Sequence, residues 1–147
     1  MRVKSNIFIS MTDEADYDLA VIGINTYAKE HCLAWYINKD IYINLSKSPD
    51  LKIKFGADAF LLISNYIFEE DYYIARLIKN RAVEIINHKK PYLLPEFMQY
   101  DFLLTLAGHY TPILDVFLQK LSVMSVVQHA QHLPTHNIKN IEYLILT

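Results

Sequence analysis

Three of the six histidines, His129, His132 and His136, come closest to a metal-ligand spacing, because imidazole is a common ligand and two or three spacer residues can bring rings together on one ion. Glu96 or Asp101 would then supply a carboxylate, and the chain would be a metal-assisted enzyme. The same stretch argues against this. If 125–133 is a strand, His129 and His132 project from opposite faces, and Pro134 interrupts whatever precedes His136. Solvent-exposed or locally hydrogen-bonded imidazoles are the preferred reading. A zinc thiolate site is excluded, since Cys32 is the single cysteine.

Cys32 follows His31, but neighbours on a helix project about 100° apart, so a small buried hydrophobe is expected in place of a nucleophile–base pair. Glycines stand only at 23, 56 and 108, which leaves no Gly-x-Ser-x-Gly elbow and no Gly-rich phosphate loop. The carboxylate pairs Asp16 with Asp18 and Glu69 with Glu70 lie in acidic, turn-like stretches where solvation explains them. Nothing in these residues calls for a cofactor.

The aromatic content is high, with 11 Tyr, 7 Phe and 1 Trp. Tyr suits a position with one face buried and one end wet. Ordinary strand composition accounts for most of it. The functional alternative is an interface in which Tyr66, Tyr72, Tyr73, Tyr92, Tyr100 and Tyr110 line an exposed sheet face, with Tyr66 and Tyr73 as partner contacts.

Composition bounds the rest. The chain has 147 residues, 52% hydrophobic and 20% charged, which predicts one globular α+β domain over 1–147 with a substantial core. A net charge of −2 provides no basic excess for nucleic acid or anionic lipid. The longest stretch without a formal charge, 121–138, carries Gln, His, Pro and Asn, so no membrane span is predicted. The opening residues show basic character and a broken apolar stretch without a small-residue cleavage pattern, and a cytoplasmic location is expected.

The elements that must position any site follow from patterning. Leu19–Ile24 is a buried strand, and Thr26 is expected to cap a helix with Ala28, Cys32, Trp35 and Tyr36 on its inner stripe. Ser46–Asp50 reads as a turn before a short edge strand in which Leu51 and Ile53 alternate with Lys52 and Lys54. Residues 59–86 read as an antiparallel hairpin around Glu69-Glu70-Asp71, with a helix as the alternative for 72–83. A strand 100–108 leads to a helix with Thr111 as N-cap, Pro112 at the first position, Asp115 in the first turn and Leu114, Phe117, Leu118, Leu121 and Met124 as its stripe. Strands over 125–133 and 141–146 complete the chain. Two similar strand–helix units, offset by 83 residues, predict a two-layer sandwich. Its sheet would be mostly antiparallel with two helices on one face, ferredoxin-like or ACT-like in pattern, leaving the other face open.

Leu94-Pro95-Glu96 followed by Tyr100-Asp101-Phe102 resembles the signature of the IPExxVDY family of small bacterial proteins. Ile22-Gly23-Ile24, the helix with Ile37-Asn38-Lys39, the aromatic hairpin and the late helix before Val126-Val127 are similar to the family layout, so the resemblance spans nearly the whole chain. Four residues separate Glu96 from Asp101 where the family has three, Leu replaces Ile, and Phe102 replaces Tyr. The resemblance implies no reaction. Physically, Pro95 holds Leu94 extended, and Glu96 and Asp101 flank a strand entry. A loop stapled to the fold is the main expectation, with Glu96 accepting backbone N–H bonds or pairing with Lys or Arg. A ligand or partner contact through Pro95, Glu96 and Asp101 is the alternative. The expected protein is a non-catalytic homo-oligomer that binds a protein partner or a small ligand.

Overall fold

The computed structural model describes residues 19–138 together with 141 and 144. Its strands are β1 (Leu19–Thr26), β2 (Ser46–Lys54), β3 (Phe60–Glu69), β4 (Tyr73–Lys79), β5 (Glu84–Ile86), β6 (Phe102–Gly108) and β7 (Val127–Leu133). Helix α1 (Glu30–Ile41) follows β1, and α2 (Thr111–Ser122) follows β6. The strands form one antiparallel sheet in the order β2-β3-β4-β6-β1-β7, and β5 pairs with the first part of β3. This is an α+β sandwich. Among the described residues no helix is long and apolar enough to cross a membrane.

Strand β1 is apolar at nearly every position because both sheet faces are covered. Ala20, Ile22 and Ile24 point to the helices, where they meet Leu33, Ala34 and Ile37 of α1 and Phe117 and Leu121 of α2. Leu19 and Val21 point the other way, into a second core with Ile63, Ile78 and Leu103. In the second strand–helix unit, β6 and β7 flank β1 and are both antiparallel to it, giving a split βαβ unit. In the first unit, β6, β4 and β3 lie between β1 and β2.

Several sequence expectations shift. Thr26 ends β1 and does not cap α1: its hydroxyl donates to Val126 O and accepts the Ala28 N–H, while Lys29 occupies the N-cap without a side-chain bond. The inner stripe of α1 is Leu33, Ala34 and Ile37, so Cys32 is half-buried and Trp35 is 57% exposed. The Ser46–Asp50 cluster lies inside β2 as a bulge between Ser48 and Leu51. Residues 73–79 are strand, with Ala75, Leu77 and Ile78 buried between β3 and β6. In α2 the boundary moves by one residue: Tyr110 is the N-cap, Thr111 is the first helical residue, and Asp115 falls beyond the first turn. The predicted strand 141–146 lies largely outside the described residues; of the two that are described, Ile141 is in a turn and its carbonyl accepts the Leu144 N–H at 2.9 Å.

The expectation of an open, Tyr-lined sheet face is corrected. That face is covered by the segment 91–100, with Leu93, Leu94 and Tyr100 at 2%, 0% and 6% exposure, and by Ile138 and Leu144. Tyr66, Tyr73 and Tyr110 pack on the helix side, and Tyr72 sits exposed beside the hairpin turn. The six tyrosines therefore do not share one surface.

Candidate functional site

The segment 91–100 is an arm laid across the sheet, and Asn80 clamps it. Asn80 is fully buried; its Oδ1 accepts the Leu94 N–H at 3.0 Å, and its Nδ2 donates to Phe97 O at 3.0 Å and Tyr100 O at 3.1 Å. Its backbone adds bonds to Asp101 O at 3.0 Å and from the Leu93 N–H at 2.8 Å. A buried amide placed against a turn can satisfy several backbone groups at once, which fixes the arm at one register. Sequence reading missed Asn80. The only signal was a polar residue closing an apolar strand.

Pro95 begins a 3-10 turn over Pro95–Phe97, and Leu94 before it is extended, as a residue preceding proline should be. Asp101 stitches the end of the arm to β1: Oδ2 accepts the Thr26 N–H at 3.0 Å, and its own N–H donates to Ile24 O at 2.9 Å. Tyr100 rests on Gly23, donates its hydroxyl to Gln131 Oε1 at 3.1 Å and stacks with His129 at 6.3 Å. The arm is tied to the fold by Asn80 and Asp101, whereas the sequence pattern assigns that role to Glu96.

Two cavities flank the arm and share Tyr92 and Met98 as a common wall. The first, about 600 Å³, lies at the start of α1 and is lined by Lys29, Glu30, His31, Lys79, Arg81 and Asp101. The second, about 900 Å³, is lined by Pro95, Glu96, Lys89, Lys90 and the stacked pair Phe55 and His88, whose rings lie 4.0 Å apart. Arg81 stands over the Tyr92 ring at 5.6 Å and reaches its hydroxyl at 3.3 Å. Glu30 Oε2 is buried without a hydrogen-bond partner. The two chambers thus combine aromatic walls with five cationic side chains and the three carboxylates Glu30, Asp101 and Glu96.

The structure brings Pro95 and Glu96 to the second cavity and Asp101 to the first. Tyr66 and Tyr73 lie elsewhere, on the helix side of β3 and β4. Tyr73 lines a separate depression of about 210 Å³ with Tyr42 and Tyr72. Burial raises the pKa of both phenols, helped by the charge of Glu30 at Tyr66 and of Glu70 at Tyr73. Arg76, not singled out by sequence, donates to Asn65 Oδ1 at 2.9 Å, and burial lowers its pKa against the opposing pull of Glu69.

His129 pairs with Asn25 and His132 with Ile22, which sets their side chains on opposite faces of β7, and His136 lies in a 3-10 turn beyond Pro134. Among the described residues no three His, Cys, Asp or Glu side chains form a metal-binding group. The His31 ring folds back so that Nε2 lies 3.6 Å from Cys32 Sγ, contrary to the expectation that these neighbours point apart. The contact is exposed. Comparison with family models, with curated proteins and with solved structures finds no match to this chain.

Proposed function

We propose that the protein is a non-catalytic, cytoplasmic, self-associating module that binds a small planar anion in the two-chambered groove along the 91–100 arm. The observation that carries this reading is the Tyr92–Met98 wall, with Lys29, Lys79 and Arg81 on one side and Lys89 and Lys90 on the other, five cations against the carboxylates of Glu30, Asp101 and Glu96. A flat aromatic ligand gains dispersion and apolar contact against Tyr92 and the Phe55–His88 stack, and its anionic group is met by the cations at the rim. The chain is read as a divergent IPExxVDY-like protein. Supporting that reading, Phe97 to Tyr100 is a tight turn, closed by the Tyr100 N–H to Phe97 O at 3.0 Å, where one extra residue disturbs no strand register.

Isothermal titration with indole-3-carboxylate tests the groove, with neutral indole and inorganic phosphate as controls. Binding of the carboxylate, with both controls weaker and with loss in Tyr92→Ala and in Arg81→Ala, is the expected result. No binding, or equal binding by those two variants, overturns the reading.

A further inference from the structure

Strand β7 is an edge among the described residues: β1 pairs with one side, and no described strand pairs with the other. The opposite edge, β2, is protected against pairing with another chain by Pro49, by a bulge between Ser48 and Leu51, and by Lys47, Lys52 and Lys54. β7 has neither proline nor lysine. Its one irregularity, at Gln128, precedes a regular run from His129 to Leu133.

We infer that the β7 edge pairs antiparallel with β7 of a second copy, about a two-fold axis at Ala130. This rests on the self-association in the reading above and is independent of the ligand groove. Pairing about Ala130 sets His129 of each copy opposite Gln131 of the other, on the sheet face where both side chains already point. Imidazole and carboxamide each offer a donor and an acceptor, so the two contacts across the axis are self-complementary. Within one copy, Gln131 Oε1 accepts from Tyr100 and lies 3.2 Å from His129 Nε2, leaving the amide Nε2 as a donor to the facing imidazole. No formal charge occurs between 121 and 138, so two edges approach without like-charge repulsion. Ile138, Ile141 and Leu144 pack in the second-face core.

Native mass spectrometry of the full chain at neutral pH is the test, using the double variants His129→Lys/Gln131→Lys and His129→Glu/Gln131→Glu. The wild type is expected as a dimer. Each double variant should be monomeric, because like charges then face each other twice across the axis, and an equimolar mixture should yield a Lys/Glu heterodimer identified by its mass. Circular dichroism of each variant confirms folding, and indole-3-carboxylate titration separates failure of this interface from failure of the groove. A monomeric wild type overturns the inference, as do double variants that still form homodimers. A dimer lost in both variants but not restored by mixing also overturns the pairing about Ala130.

Discussion

Tyr100 and Gly23 are in contact across the second face of the sheet, so closely that a Cβ at position 23 would stand 2.7 Å from two ring carbons of Tyr100. The ring is held at its far end by Gln131 and cannot swing aside. Gly23→Ala is therefore expected to cost about 1–3 kcal/mol through overpacking. In a Tyr100→Ala background the same change should cost less than half as much, because the obstructing ring is gone. Urea denaturation of the four proteins in this cycle measures the coupling, and equal costs in both backgrounds would show that the contact does not exclude a side chain.

Removing the Asn80 side chain leaves one buried N–H and two carbonyls of the arm without their partner. A buried polar group without a partner costs roughly 1–3 kcal/mol, so Asn80→Ala should lose more than about 2 kcal/mol. Limited proteolysis should then cut first within 91–100. Unchanged stability together with an uncut arm would refute the clamp.

Asp101 acts here as an acceptor for the Thr26 N–H. Asp101→Asn keeps an oxygen for that bond and is expected to stay within about 1 kcal/mol of wild type, whereas Asp101→Ala should lose about 1–3 kcal/mol. Thermal and chemical denaturation distinguish them. Equal loss in both would mean that the negative charge itself is required.

The Tyr66 and Tyr73 phenols have folded-state pKa values raised above 10.0, chiefly by burial. Their resistance to ionisation contributes stability that is complete below pH 10 and is lost as pH rises through the folded values. The melting temperature should fall as pH rises above 10, and Tyr73→Phe should flatten part of that fall. A melting curve series from pH 8 upward, followed by circular dichroism, reads the difference; identical slopes in the two proteins would contradict the shift at Tyr73.

The sequence disclosed the elements whose pattern is local. β1, the 60–79 hairpin, β6 and the stripe of α2 are apolar runs or periodic sets whose burial needs no distant partner to be anticipated. The sequence pattern puts Ala28, Cys32, Trp35 and Tyr36 on the inner stripe of α1, at the same helical spacing as Leu33, Ala34 and Ile37; contact with β1 buries the second set and leaves Ala28 and Tyr36 packed at its margin. Ser46–Asp50 has turn composition, yet pairing with β3 draws it into a bulged strand. The candidate site was half legible: proline, glutamate and aspartate mark the arm. Its clamp at Asn80 and its walls at Arg81 and Tyr92 depend on contacts between segments that no local spacing reveals.

The pairing of β1 carries a consequence for how the chain is made. Its two neighbours are β6, through Leu19 opposite Ala107, and β7, through Val21 opposite Leu133. During synthesis β1 therefore leaves the ribosome long before either partner strand exists, and its two edges are not both paired until Leu133 has been added. At about 5–20 residues per second that interval is roughly 5–20 s. A nascent chain of this kind offers a hydrophobic, strand-forming segment to holding chaperones for most of its translation, and truncated products lacking β6 and β7 are expected to aggregate through it.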